Sequence, residues 1–328
     1  MASHVDESPS YGNAQSQPGK TKSAINKVLS TPEILEMILV QLDMRTLLTS
    51  AQLVCYNWAN LISESPSIQK ALFFTPIGAN EWGEEKIINP LLRETFPSFF
   101  PTKDKAADHP FDYSSLPMTK DSSTMGQFVR KDASWRKMLV QQPPISDIGL
   151  YHIISARGGD SAESSSIPAD QKMQEFGYDG VRMERLFELL LFSRDVEFRP
   201  YTNARMYWST REPIEFDSEY RNIKDEFHRL IGKFGVVLYT SMVRQCSMGV
   251  YRGSNSEEFI RKEVITAYEE HGFDVSCKEK EIEESKSEVS EIEGQDRRFN
   301  TYEVDDRLAH IIVTEMWDNW PAPEQKEN

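Results

Sequence analysis

The chain has 328 residues, of which 39% are hydrophobic and 27% charged, and its formal net charge at pH 7 is −15. This length allows one to three domains, and the negative charge opposes nonspecific binding to nucleic acid, which needs a cationic surface. The three cysteines, Cys55, Cys246 and Cys277, are too far apart for a disulfide framework or a zinc-binding spacing. No apolar run approaches the roughly 18 residues of a membrane helix, and the N-terminus lacks an apolar signal region. We therefore expect a protein of the cytoplasm or the nucleus that binds no membrane.

The first two segments of the chain differ sharply in composition. Residues 1–24 are rich in Ser, Gln, Pro and Gly, so we predict a disordered N-terminal tail. Residues 25–75 contain three short apolar helices separated by polar breaks. At the start of the first helix, Ser30 and Glu33 have the spacing of a capping box, and Pro32 suits the first turn. A broad apolar stripe then follows at Ile34, Leu35, Ile38, Leu39 and Leu42.

The later helices of residues 25–75 are also predicted from caps and spacing. Asp43 is a suitable N-cap for a second helix. Apolar residues from Val54 to Ile62 have the spacing of a third helix, and Ser65-Pro66 indicates a new cap and first turn. A unit of this size cannot bury so many apolar side chains within itself, which indicates a surface that docks on a partner.

The order of these residues resembles an F-box, in the form common in filamentous fungi, over residues 27–74. The matching positions are Pro32-Glu33-Ile34-Leu35, Ile38-Leu39, Leu42-Asp43, Leu47-Leu48, Val54-Cys55, Trp58 and Leu61-Ile62. Two positions depart from the family pattern: Thr31 replaces the usual leucine before the proline, and Ile68-Gln69 replaces the usual Leu-Trp tail.

The resemblance implies a specific function. F-box proteins bind a Skp-type adaptor and through it a cullin, so the chain would be the substrate-receptor subunit of a cullin–RING ubiquitin ligase. It would hold a protein substrate near activated ubiquitin without catalysing a reaction itself. The alternative is an adaptor-bound scaffold or regulator that acts outside a ubiquitin ligase. The residues expected to contact the adaptor are Pro32, Ile34, Leu35, Ile38, Leu39, Leu47, Leu48 and Trp58.

Residues 76–127 are predicted to form a connecting segment that is partly irregular. Apolar residues are mixed there with several prolines, and we expect the aromatic group of Phe96, Phe99 and Phe100 to pack on a neighbouring domain. A second domain is predicted over residues 128–272.

Within the second domain, Asp132 is predicted to cap a short helix, and residues 156–175 are predicted to be a loop. Strands are predicted at Ile148–Ser155, in the region 195–209 and after Gly235, where β-branched and aromatic residues are frequent.

Three helices of the second domain have clear apolar stripes. They include Met183–Leu191, a stretch from Ile223 to a C-cap at Gly232, and a stretch that ends at Gly272. The overall expectation is an α+β protein, with a three-helix F-box followed by a domain of mixed helices and short strands. This second domain is the predicted substrate-recognition region.

The last part of the chain is predicted to contain a linker and a docking segment. Residues 273–298 are strongly acidic, which indicates a disordered linker. Residues 299–322 contain a short apolar run that could dock on the second domain as helix or strand.

Catalytic and metal-binding patterns are not visible in the sequence. It contains no GxSxG, P-loop, GxGxxG or HExxH motif, and its six histidines are scattered. We therefore expect no cofactor and no metal. An unrecognised enzyme in the second domain is a third hypothesis, and a convergent polar pocket with a perturbed titratable pair would support it.

Overall fold

The computed structural model describes residues 27–78, 86–101, 111, 114, 116–156, 159–169, 180–193, 202–210, 221–244 and 256–288. The chain divides into two compact units, Met1–Ala71 and Leu72–Asn328. The predicted N-terminal tail (1–24), the predicted C-terminal docking segment (299–322) and Cys246 lie outside the described residues.

The first unit is built from short helices that are defined by local caps. Its helices are α1 (Pro32–Leu39), α2 (Met44–Thr49), α3 (Tyr56–Glu64) and α4 (Pro66–Ala71), with a 3₁₀ turn at Ala51–Leu53 between α2 and α3. The predicted cap of α2 is confirmed, because the carboxylate of Asp43 accepts a hydrogen bond of 2.9 Å from the backbone N–H of Thr46. The predicted cap of α4 is also confirmed, because the Ser65 hydroxyl accepts from the N–H of Ile68.

Two local predictions for the first unit are wrong. The capping box at Ser30 does not form, because the Ser30 hydroxyl donates to the carbonyl of Lys27, and Thr31 is the residue that precedes α1. Val54 does not belong to α3, which begins at Tyr56.

The second unit contains a five-stranded sheet in the order β5-β6-β3-β4-β7. Its strands are β3 (Asp147–Ala156), β4 (Gly159–Pro168), β5 (Thr202–Trp208), β6 (Val236–Arg244) and β7 (Ser287–Glu288). The β3–β6 pair is parallel and the other pairs are antiparallel. Two very short strands, β1 (Ile87–Ile88) and β2 (Gln141–Gln142), form a separate antiparallel pair.

The described residues of the second unit also form helices. They are α5 (Pro90–Thr95), α6 (Ser122–Phe128), α7 (Ser134–Lys137), α8 (Met183–Phe192), α9 (Arg221–Phe234), α10 (Ser256–Glu270) and α11 (Val275–Glu284). The apolar stripe of α9 packs on one face of the sheet, in a core formed by Tyr151, Ile153, Ala162, Tyr207, Ile223, Phe227, Leu230, Ile231, Phe234 and Val237. The mixed helix and strand content confirms the α+β class.

A second core of the same unit is aromatic and includes part of the predicted connecting segment. Phe96 and Phe99 are fully buried, and the ring of Phe96 lies 5.1 Å from that of Trp135 and 6.0 Å from that of Phe187. The expectation that this aromatic group packs on a neighbouring domain is confirmed, and that domain is the second one. These residues belong to the second unit, not to a separate connector.

Two segments of the second unit fold where the sequence predicts none. The predicted loop 156–175 contains β4, which pairs with β3 over ten residues. The predicted disordered linker 273–298 contains α11 and β7. Asp274 caps α11 by accepting from the N–H of Cys277, and Ile282 of α11 is buried. Strand β4 is stabilised by a hairpin with the strand directly before it, whereas α11 and β7 are stabilised by residues distant in sequence. The composition of each segment does not report these contacts.

Two predicted caps in the second unit are wrong. Asp132 pairs with the guanidinium of Arg130, and Ala133 precedes α7 without a side-chain cap. Gly232 lies inside α9, which instead ends before Gly235, a residue with φ of +77°.

Replacing Gly235 with alanine is expected to lower the free energy of unfolding by about 1–2 kcal/mol, because L-residues with a Cβ are strained in the left-handed region. The added Cβ would also lie 3.1 Å from Cγ2 of Ile145. Gly232→Ala is the matched control, since a Cβ there meets no atom within 4 Å. It is expected to stabilise the helix slightly. Urea unfolding of both variants checks this, and equal destabilisation would contradict the assignment of Gly235 as the helix end.

Candidate functional site

The first unit exposes an unusual amount of large apolar side chain. Within the described part of the chain, the large hydrophobic residues exposed in this unit are Val28, Ile34, Met37, Ile38, Leu53, Val54 and Tyr56, against Ile87 and Phe259 in the second unit. Met37 and Leu53 are 72% and 82% exposed. A concentration of exposed apolar residues in one small unit is typical of a surface that docks on another protein.

Helix α1 shows how this surface arises. Ile34, Met37 and Ile38 have the i, i+3, i+4 spacing of one helical face and are exposed, whereas Leu35 and Leu39 are buried. The apolar stripe predicted for α1 is thus divided into an inner half and an outer half. Leu53, Val54 and Tyr56 add exposed apolar side chains around the start of α3.

The residues predicted to contact an adaptor fall into three groups by exposure. Pro32, Ile34 and Ile38 are exposed, and Leu48 and Trp58 are half-buried. Leu35, Leu39 and Leu47 are at most 3% exposed, so in this structure they are core residues without a free surface for a partner. We therefore correct their assignment from contact residues to core residues.

Five of the exposed apolar residues described in the first unit were not among the predicted contacts: Val28, Met37, Leu53, Val54 and Tyr56. The spacing of Met37 from Ile34 was a usable signal, since residues three apart share a helical face. Leu53 gave no such signal, because it lies in the 3₁₀ turn between α2 and α3.

A hydrogen bond across the first unit links its first and last helices. The hydroxyl of Ser65, which precedes α4, donates to the carboxylate of Glu36 in α1 at 2.5 Å. This bond lowers the pKa of Glu36 below its ordinary value. This hydrogen bond connects α1 to the start of α4, while Ile34 and Ile38 of α1 remain on the surface.

The second unit contains a cluster of polar and charged groups around a buried arginine, which we name the Arg136 cluster: Arg136, Glu184, Glu188, Tyr268 and Lys278. Nη1 of Arg136 lies 2.8 Å from Glu184 and 3.2 Å from Glu188, and Nζ of Lys278 lies 2.8 Å from the other oxygen of Glu188. The guanidinium also stacks within 5 Å of the ring centroids of Trp135, Tyr268 and Phe273.

Titratable clusters with perturbed pKa values are candidates for catalysis, but the centre of the Arg136 cluster, formed by Arg136 and Glu188, is enclosed. The side chains of Arg136 and Glu188 are 1% and 3% exposed, and the Arg136 guanidinium also donates to the carbonyls of Val129 and Arg130. Charges that are saturated by partners and closed to solvent cannot reach a substrate. The cluster therefore joins α7, α8, α10 and α11 as a structural element.

The pKa of Glu188 gives the Arg136 cluster a pH dependence. Burial first, and then the charge of Glu184, raise this pKa from an ordinary 4.5 to about 7, against the opposing effects of Lys278 and Arg136. The native state therefore holds a proton on Glu188 at pH values where the unfolded chain has lost it. The contribution of Glu188 to the free energy of unfolding is therefore fully present below pH 4.5 and is lost as the pH rises through about 7.

We expect the Glu188→Gln variant to lose less stability than the wild type between pH 5 and pH 8. The difference is up to about 3 kcal/mol, because each unit of pKa shift corresponds to about 1.4 kcal/mol. Urea unfolding at several pH values measures how the free energy of unfolding of each protein changes with pH. A loss of stability from the altered contact with Lys278 that is the same at every pH does not change this slope. Parallel slopes would contradict the raised pKa.

A small cleft lies on the sheet face opposite α9. It has a volume of about 30 Å³ and is lined by Leu150, His152, Glu163, Ser165, Ser193, Leu238 and Thr240. Nδ1 of His152 lies 2.6 Å from the hydroxyl of Thr240. A histidine beside a hydroxyl can act as a base that activates the hydroxyl as a nucleophile. Thr240 is only 3% exposed, however, and the cleft has room for a water-sized group alone.

Neither a metal site nor a membrane span is found in the described ranges. These residues contain no group of three or more His, Cys, Asp or Glu side chains that could hold a metal ion. None of the helices they form is long and apolar enough to cross a membrane.

The chain was compared with known protein families, curated proteins and solved structures. No family model, no curated protein and no solved structure matches it.

Proposed function

We propose that this chain is the substrate-receptor subunit of a cullin–RING ubiquitin ligase. The first unit binds a Skp-type adaptor, which connects it to a cullin, and the second unit binds a protein substrate. The chain contributes no catalytic group, needs no cofactor and acts in the cytoplasm or the nucleus. The order of apolar residues over 27–74, which resembles an F-box, motivates this assignment.

One observation carries the proposal: the large apolar side chains that the first unit leaves exposed. Hydrophobic burial is worth roughly 25 cal/mol per Å² of apolar surface, so covering Ile34, Met37, Ile38 and Leu53 would favour a stable complex. The inner residues of the same helices, Leu35, Leu39 and Leu47, support the surface without touching the partner.

Affinity purification of the tagged full-length protein from its own cells tests this function. We expect a Skp-type adaptor and a cullin among the co-purifying chains. Recovery of the adaptor without a cullin would favour a scaffold that acts outside a ligase. Absence of an adaptor would overturn the proposal.

A further inference from the structure

Thr31 places a hydroxyl directly before α1, at the position where the F-box pattern described above has a leucine. It is followed by Pro32, and its backbone is extended, with φ of −88° and ψ of 111°, as expected for a residue before proline. The Thr31 side chain is half-buried, and its hydroxyl donates to the carbonyl of Lys27 at 3.0 Å. Lys27 and Pro32 are both exposed. The hydroxyl therefore belongs to an extended Thr-Pro dipeptide with exposed neighbours.

An extended Ser-Pro or Thr-Pro dipeptide is the substrate of proline-directed protein kinases. The sequence contains four such dipeptides, which begin at Ser8, Thr31, Ser65 and Thr75. Ser8 lies outside the described residues. Ser65 is only 5% exposed, and its hydroxyl is held by the carboxylate of Glu36. A kinase could not reach the Ser65 hydroxyl without breaking that contact.

Thr75 is fixed by its backbone. The side chain of Gln142 donates to the carbonyl of Thr75 at 3.3 Å and accepts from the N–H of Ile77 at 2.8 Å. These two bonds hold the Thr-Pro dipeptide at residues 75–76 against β2, so it is not free to enter the groove of another protein. Among the dipeptides that the structure describes, the one at Thr31 is thus the most accessible.

Thr31 also lies at the margin of the exposed apolar surface of α1. Residues three and seven positions apart share a helical face, which places Thr31 in line with Ile34 and Ile38. Both isoleucines are exposed, as is Pro32 between Thr31 and Ile34. A group added to the Thr31 hydroxyl would therefore stand at the N-terminal end of the surface proposed to bind the adaptor.

A phosphate on Thr31 would be compatible with the fold of α1. The Thr31 side chain makes no cap hydrogen bond to the helix, so phosphate oxygens would accept from the N–H groups of Glu33 and Ile34 in the first turn. The helix dipole favours a negative charge at this end, and the exposed carboxylate of Glu33 opposes part of that gain. We therefore expect α1 to remain folded.

The same phosphate would be unfavourable in a complex. It adds a charge of about −2 at pH 7. A dianion at the margin of an apolar surface loses part of its hydration when a partner covers that surface, and this loss weakens binding.

We propose that Thr31 is a phosphorylation site through which a proline-directed protein kinase weakens the docking of the first unit. The kinase transfers the γ-phosphoryl group of ATP: a bond forms between phosphorus and Oγ1 of Thr31, and the bond between phosphorus and the β–γ bridging oxygen breaks. ADP leaves, and the hydroxyl proton is released. The inference rests on the proposed function in one respect, since the partner whose binding is weakened is the Skp-type adaptor.

Mass spectrometry of the full-length protein tests the site without the adaptor. After treatment of the purified protein with a mitogen-activated protein kinase and ATP, we expect a phosphate on Thr31 and none on Ser65 or Thr75. The same phosphate on Thr31 is expected in protein purified from its own cells with phosphatase inhibitors present. Absence of a phosphate from Thr31 in either preparation would overturn the inference.

Titration with a recombinant Skp-type adaptor measures the effect of the phosphate. The Kd of the kinase-treated protein is expected to be about tenfold or more above that of the untreated protein. Circular dichroism should give the same helix content for both forms, so that the loss of affinity does not come from unfolding. Equal affinities of the two forms would overturn the regulatory role.

Two variants assign the effect to Thr31 and not to another phosphorylated residue. Thr31→Val lacks the acceptor hydroxyl and has a similar shape, so its affinity for the adaptor should be the same before and after kinase treatment. Thr31→Ser keeps a hydroxyl and should still lose affinity on treatment. A loss of affinity in treated Thr31→Val would place the effect at a different site and overturn the inference.

Failure of the ligase assignment would be visible separately in these experiments. If neither the treated nor the untreated protein binds the adaptor, the ligase assignment is rejected. A phosphate on Thr31 in the same preparations would then uphold the modification site on its own.

Discussion

Replacing Ile38 or Leu53 with aspartate is expected to remove the Skp-type adaptor from the purified complex. Both side chains are exposed, at 40% and 82%, so the first unit should still fold. In the complex they would be covered, and a carboxylate buried there without a partner costs several kcal/mol. We expect the affinity to fall by about 100-fold or more, since each 1.4 kcal/mol is a factor of ten.

The choice of residue decides whether this experiment is informative. Gln41→Asp introduces the same charge at an exposed polar position just beyond α1 and should leave adaptor binding intact. Leu39→Asp is unsuitable as a test, because Leu39 is fully buried and its substitution would unfold the unit. Circular dichroism of each variant establishes that the fold is retained. Loss of binding in Gln41→Asp, or retention in both Ile38→Asp and Leu53→Asp, would contradict the docking surface.

The helices of the first unit could be predicted because their signals are local. Pro32 at the first turn, the Asp43 cap and the Ser65 cap each act within three or four residues. Local signals could not show which half of the apolar stripe of α1 is buried and which is exposed. Its apolar stripe contains both Ile34 and Leu35, and the side that is buried depends on where α3 packs.

The errors in the second unit have a different origin. Strand β4 is rich in serine, and its pairing with β3 over ten residues overrides that composition. The acidic helix α11 is held by residues about a hundred positions earlier in the chain. Lys278 pairs with Glu188, and Ser285 accepts a hydrogen bond from Arg185. No local pattern in residues 273–298 contains that information.

The Arg136→Ala variant is expected to show the largest loss of stability in the second unit. The guanidinium lies among three aromatic rings and carries the charge that faces Glu188, whose side chain is 3% exposed. Truncation would leave a cavity between the rings and weaken the neutralisation of a buried carboxylate. Above pH 7, where Glu188 is ionised, removing one partner of a buried ion pair costs about 3–5 kcal/mol.

Arg130→Ala is the matched control for Arg136→Ala, because the two arginines differ in burial and not in charge. Arg130 pairs with Asp132 on the surface, with both side chains more than half exposed, and surface pairs contribute little. Its backbone carbonyl, which accepts from Nε of Arg136, is unchanged by the substitution. Urea unfolding should show a large shift of the midpoint for Arg136→Ala and almost none for Arg130→Ala. Similar midpoints would mean that the aromatic packing of α7, α8 and α10 suffices without the charge at its centre.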